Sequence, residues 1–183
     1  MKVSREQVET NRRRILEAAG RLFREKGFEA VTVAEIMKAA GLTHGGFYGH
    51  FKSKDDLIAQ TLAHLLSSTP AAEADLASYA KAYLTPARRD DLAHGCPMAG
   101  LASESIRQTP EARDVMAEGL RRQIGRLSRH APGATEAEKR QAATASWAAM
   151  VGAMILSRLS DDPQLADEVL ADTSAWIDAH AGN

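Results

Sequence analysis

Apolar residues recur at helical spacing early in the chain: Ile15, Leu16, Ala19, Leu22 and Phe23 form one stripe, and Gly27 supplies a stop. Thr10 or Asn11 can open this helix. Thr32 with Glu35 then makes a T-x-x-E capping box, in which each side chain satisfies the other's free backbone N–H. Ile36, Met37 and Ala40 follow, and Gly41 ends a short second helix. Thr43 is placed to cap a third, shorter helix that runs to about Phe51. Ser53 and Asp56 open a longer one carrying Leu57, Ile58, Leu62 and Leu65. Beyond Pro70 the pattern predicts helices at about 72–85, 98–108, 111–130, 136–160 and 164–180, with Pro86, Pro110, Pro132-Gly133 and Pro163 as breakers. No segment alternates as a strand would, so the expected fold is all-α. A small helical head, 1–52, should precede a larger helical bundle, 53–183.

Composition adds limits to this picture. No apolar stretch reaches the roughly 18 residues of a membrane span, so no membrane partner is expected. The start, MKVSREQVETNRRR, lacks the apolar core of a signal peptide, which points to a cytoplasmic protein. A single cysteine, Cys96, excludes an intrachain disulfide framework and a multi-cysteine zinc site. Net charge is −1, but it is unevenly spread. Residues 1–60 carry 11 Lys and Arg against 8 Asp and Glu, whereas residues 61–183 carry 12 against 16. A basic module attached to an acidic body suits contact with nucleic acid at one end only.

The stretch 32–51, TVAEIMKAAGLTHGGFYGHF, reads as a helix-turn-helix: two short helices joined by a tight turn at Gly41. At 100° per residue, Phe47 and Phe51 lie side by side and anchor the third helix to the other two, while Gly45, Gly46 and Gly49 cluster outward. Each glycine costs a helix about 1 kcal/mol against alanine, so three of them need a reason. A bare face lets a helix enter a DNA major groove closely, with Tyr48 and His50 reaching phosphates from its two rims. Lys54 can add a phosphate contact, and the helix N-terminus at Thr43 presents free N–H groups to an anion. The alternative is that the glycines serve protein–protein packing and the aromatics are core.

The run RRRILEAAGRLFREKGFEAVTVAEIMKAAGLTHGGFYGHFKSKDDL, with its G-F-x-x-x-T, A-G-L-T and F-Y-x-H-F-x-S-K-x-x-L segments, resembles the N-terminal domain of the TetR family of transcriptional regulators. The resemblance implies a homodimer with a three-helix DNA-binding head and a helical ligand-binding body. It implies a repressor that sits on a palindromic operator in double-stranded DNA and is released by a small-molecule inducer. Through it, Thr32, Thr43, Tyr48, His50 and Lys54 fall on backbone-contacting positions, and His44, Gly45 and Gly46 where the recognition helix approaches base edges. Gly46 and Gly49 depart from the family, many of whose members carry larger side chains there, leaving Thr43 and His44 as the main candidates for base readout.

The body is less explicit. Tyr79, Tyr83, Met98, Leu101, Met116, Leu120, Ile124 and Trp147 are its larger apolar residues and candidate cavity lining, although such residues at helical spacing also serve as plain core. Met150, Val151, Met154 and Ile155 on one late helix, with Leu165, Val169, Leu170, Trp176 and Ile177 on the last, are candidates for pairing across a two-fold axis. Cys96 stands in HGCPMAGLASE, whose G-C-P-x-x-x-L-x-x-E pattern is similar to a subgroup of the family in which some members sense electrophiles or oxidants. A thiol-based repressor is therefore the alternative reading. Against it, Pro97 removes one N–H donor and no Lys or Arg lies within five residues of the cysteine. A helical enzyme with a Cys96 nucleophile is remote: no residue marks an orienting third group, and His44, His50, His64, His94, His130 and His180 show no metal-ligand spacing. No metal or cofactor is expected.

Overall fold

The computed structural model describes residues 4–67 and 75–181, and every regular element among the described residues is helical. α1 (Arg5–Lys26), α2 (Val33–Ala39) and a 3-10 helix (His44–Gly49) build the head. α3 (Lys54–Ser67) leads away from it, followed by α4 (Leu76–Tyr83), α5 (Pro86–Asp90), α6 (Pro97–Ser105), α7 (Pro110–Ser128), α8 (Glu136–Leu159) and α9 (Pro163–Ala181).

α1 starts well before its apolar stripe. Ser4, not Thr10 or Asn11, is the cap, and its hydroxyl accepts from the Gln7 N–H at 3.1 Å. The first turns are solvated and need no apolar period, so periodicity alone underestimates the helix. The Thr32–Glu35 capping box forms in both directions, and the Thr32 N–H holds the Glu35 carboxyl below the usual carboxylate range. Gly27 and Gly41 both adopt positive φ, +82° and +70°, where a side chain would be strained. Ile15, Ala19, Phe23, Ile36, Met37, Phe47 and Phe51 are buried together, with Phe23 edge-on to Phe28 at 5.1 Å.

Three of the prolines expected as breakers, and Pro97 with them, start helices instead. Pro86, Pro97 and Pro110 occupy the first turns of α5, α6 and α7, and Pro163 is the first residue of α9. Thr85, Thr109 and Asp162 accept side-chain hydrogen bonds from the turns they precede. Cys96, capping α6, does not. The short α5 was hidden inside what reads as a linker, and the predicted start at residue 72 lies outside the described residues.

α3 packs against both α1 and α7, so it belongs to the head and the body alike. Close approaches at small residues draw these helices together: Gly20 of α1 faces Leu65, and Gly119 of α7 faces Leu66. α8 is long and apolar enough to pass for a membrane span by length and composition, contrary to the sequence reading. It is packed against α4, α5, α6, α7 and α9, with Ala143, Trp147, Met150 and Met154 buried. That makes it the central helix of the bundle.

Candidate functional site

The segment after the Gly41 turn is a 3-10 helix, not the α-helix the wheel assumed, and this rearranges its faces. With three residues per turn, positions 44, 47 and 50 share one side, 45 and 48 a second, and 46 and 49 a third. Phe47 accordingly points into the head and is 1% exposed, while Tyr48, its neighbour, is 74% exposed. Phe47 stacks on Phe51 at 5.8 Å, as the sequence suggested.

His50 is drawn inward with Phe47 and is only half-exposed, so it does not project freely as a rim residue. Its Nδ1 is buried without a hydrogen-bond partner. Its carbonyl accepts from Arg12 of α1 at 3.0 Å, and the Arg12 guanidinium lies 4.7 Å over the Phe51 ring. Arg12 thus ties α1 to the end of the 3-10 helix. Sequence reasoning missed it because the link spans 38 positions and leaves no local pattern.

The Thr43 hydroxyl makes no capping bond, although its backbone is extended as a cap's should be. Thr43, His44, Gly45, Gly46 and Gly49 are all exposed. A Cβ at Gly45 or Gly49 would meet no atom within 4 Å, and one at Gly46 only ordinary contacts with Met37 and Thr43. Among the described residues, nothing inside the head requires these glycines. The Thr32 hydroxyl is already engaged, accepting from the Glu35 N–H and donating to its carboxylate. Lys54 Nζ, at the start of α3, reaches the Glu29 carbonyl at 3.5 Å.

A cavity of about 690 Å³ lies where α1 meets the body. Tyr79, Tyr83, Met98 and Trp147 line it; Leu101, Met116 and Ile124 are packed in the core, and Leu120 is on the surface. Leu120 and Ile124 directly follow the lining residues Gly119 and Gln123, and one residue turns a helical side chain by about 100°, onto another face. Tyr79, Tyr83 and Trp147 form one aromatic cluster, with ring centroids 5.3–6.3 Å apart. Gln123 donates to the Tyr79 hydroxyl at 3.1 Å, and Arg126 donates to Gln123. Burial, and then the adjacent Cys96, push the Tyr83 hydroxyl above the usual phenol range. This hydroxyl is buried without a hydrogen-bond partner of normal geometry, as is Arg24 Nε. Cys96 also lines the cavity, and the fold brings Arg24 beside it despite the absence of nearby basic residues in sequence.

Among the described residues, two hydrogen bonds fasten the end of α1 and the turn after it to the segment around α6. The Arg24 guanidinium donates to the Gly95 carbonyl at 3.1 Å, and the Phe28 N–H donates to the Glu104 carboxylate at 2.7 Å. The G-C-P-x-x-x-L-x-x-E pattern therefore runs from one fastening to the other, with Cys96 at the cavity and Leu101 fully buried between them.

On the late helices, Met150, Met154, Leu170 and Ile177 are buried within the chain, which corrects their assignment to a pairing face. Val151 and Val169 are partly buried against the core. Ile155, Leu165 and Trp176 are exposed, together with Leu156 and Leu159, which the sequence reading passed over.

The chain matches the family described as "Bacterial regulatory proteins, tetR family" over residues 15–61, and the "Tetracyclin repressor-like, C-terminal domain" over residues 72–172. It is 40% identical over 57 residues to the HTH-type transcriptional regulator AcrR of Shigella flexneri, covering 31% of this chain and 26% of that protein. It is 38% identical over 60 residues to the HTH-type transcriptional repressor KstR2 of Mycobacterium tuberculosis, covering 33% and 30%. The matched part thus spans under a third of those relatives' length. A TetR-family transcriptional regulator from Cytophaga hutchinsonii superposes with a TM-score of 0.76 at 18% identity, covering 100% of both chains.

Proposed function

The chain belongs to the TetR family of bacterial regulatory proteins, and on that premise we propose that it is a cytoplasmic repressor: a homodimer that binds a palindromic operator and is released by a small molecule in the cavity. The observation that carries this reading is the outward surface of the 3-10 helix, where Tyr48 projects beside glycines that the fold itself does not need. Such a surface suits close approach to a groove, with the tyrosine hydroxyl and Lys54 reaching phosphates. His44 and Thr43 are the side chains left to reach base edges, and the half-exposed His50, its backbone held by Arg12, lies beside them. The division between head and body falls along α3. A mobility shift with DNA flanking the chain's own gene, backed by random-sequence selection, tests the reading. A discrete complex that weakens steeply with salt supports it, and failure of both searches overturns it.

Alanine at Gly45 or Gly49 separates the two explanations of the glycines. Because no internal atom lies near either position, the variants should melt no lower than the wild type, yet bind operator about tenfold or more weakly. A lower melting temperature with unchanged DNA affinity would return the glycines to a structural role.

Dimerisation is assigned to the exposed face of Ile155, Leu156 and Leu159 on α8 with Leu165 and Trp176 on α9. A TetR-type head reading a palindrome needs a matching two-fold. Glutamate at both Leu156 and Leu159, which are 56% and 79% exposed, should leave the monomer fold intact and shift sedimentation from dimer to monomer. Unchanged sedimentation would move the interface elsewhere.

Cys96 favours a second reading, a thiol-sensing repressor, because it borders the cavity beside Tyr83 and Arg24. The Cys96→Ser variant decides: loss of oxidant-induced release supports the thiol reading, and release unaltered by the change supports reversible ligand binding.

A further inference from the structure

We propose that the effector is an organic anion, a carboxylate on a flat apolar body, with its charge between Arg24, Arg88 and the Tyr83 hydroxyl and its body against Tyr79 and Trp147. The proposal rests on the reading of this cavity as the effector site and adds the chemistry of what enters it. Polarity comes first. The cavity is lined by five arginines, Arg14, Arg21, Arg24, Arg88 and Arg126, against one glutamate, Glu17, which sits 3.9 Å from Arg13. Arg14, Arg21 and Arg88 are exposed and water screens them, whereas Arg24 is part-buried; the excess of one sign around the opening still favours an occupant of the opposite sign.

Unmet hydrogen bonding narrows the place. Tyr83 is 3% exposed and its hydroxyl has only the weakly bonding Cys96 thiol beside it, while Arg24 Nε is buried without a partner. Orphaned buried donors are costly, and a carboxylate accepts from both kinds. The carboxylate that bears most on Arg24, Asp91, is engaged by the backbone and ring of His94. The N-terminus of α6, where Cys96 offers no side-chain cap, opens on the same cavity and adds a favourable dipole. Shape supplies the rest. Tyr79 and Tyr83 stack at an interplanar angle of 14°, with Trp147 edge-on to both; Tyr83 and Trp147 are 3% and 5% exposed, so the half-buried Tyr79 offers most of the aromatic wall that a planar guest would meet. At about 690 Å³ the space holds a one- or two-ring molecule.

Calorimetric titration of the full-length protein, without DNA, tests this with benzoate, 2-naphthoate and decanoate, and with 2-naphthamide as the neutral isostere. At least one carboxylate should bind, and 2-naphthamide should bind about tenfold or more weakly than 2-naphthoate. Tyr83→Phe should weaken the acid several-fold, and Arg24→Met or Arg88→Met by about tenfold or more. If Arg24→Met fails to fold, Arg88→Met and the acid-to-amide ratio in the wild type still decide. Amide binding equal to the acid, acid binding indifferent to all three substitutions, or no carboxylate binding at millimolar concentration would each overturn the proposal. A carboxylate that binds in this way but leaves the operator complex intact would support the ligand class and overturn only the inducer reading.

Discussion

Replacing Tyr48 with alanine is expected to cost about a hundredfold in operator affinity while leaving the melting temperature where it was. The side chain is 74% exposed, so removing it exposes no core and creates no cavity. Each subunit of the proposed dimer would present one copy. Losing two phosphate hydrogen bonds of about 1–1.5 kcal/mol each accounts for the factor. Phe47, the preceding residue, should do the reverse. It is fully buried between Phe51 and the head core, and Phe47→Ala should lower stability by about 3–5 kcal/mol. Fluorescence anisotropy with labelled operator and thermal melts separate the two quantities. Wild-type affinity in Tyr48→Ala, or a large fall in its melting temperature, would remove the tyrosine from the DNA surface.

Glu104→Ala should act on both quantities. Its carboxylate takes the part-buried Phe28 N–H at the turn between α1 and α2, and truncation leaves that donor unpaired at a cost of about 1–3 kcal/mol. Beyond stability, the head loses one of its two fastenings to the α6 segment, so operator affinity of the folded protein should also fall. Glu104→Gln keeps an acceptor oxygen and should restore most of both. Urea unfolding alongside anisotropy is the measurement. Lowered stability with unaltered operator affinity would make Glu104 a structural strut only, and no change in either would show that the bond contributes nothing. Gly27→Ala probes the same contact from the other side, since its Cβ would stand 2.6 Å from the Glu104 carboxylate on a backbone with φ of +82°.

The head was largely legible because its signals are local. The Thr32–Glu35 box, the Gly27 and Gly41 stops and the Ser53–Asp56 start each act within four residues. At His50, α-helical pitch places the ring on a rim, whereas the tighter winding of this segment leaves it half-exposed. In the body, periodicity identified apolar faces but not their neighbours. Met150 and Ile155 belong to the same helix and to the same apolar run, yet one is buried and the other faces solvent. Cavity polarity was invisible for a related reason. Arg24 and Arg88 reach it from elements far apart in sequence, and an arginine among other charges in a helix reads as an ordinary solvated charge.

Arg24 belongs to the first helix of the head and at the same time forms part of the cavity wall. On the proposed mechanism one side chain is therefore shared by two equilibria, and thermodynamic reciprocity applies to it. Whatever factor an occupant takes from operator affinity, the operator takes from the occupant's affinity. The promoter is then itself an antagonist of the signal, and free copies of the protein sense lower concentrations than those already seated on DNA.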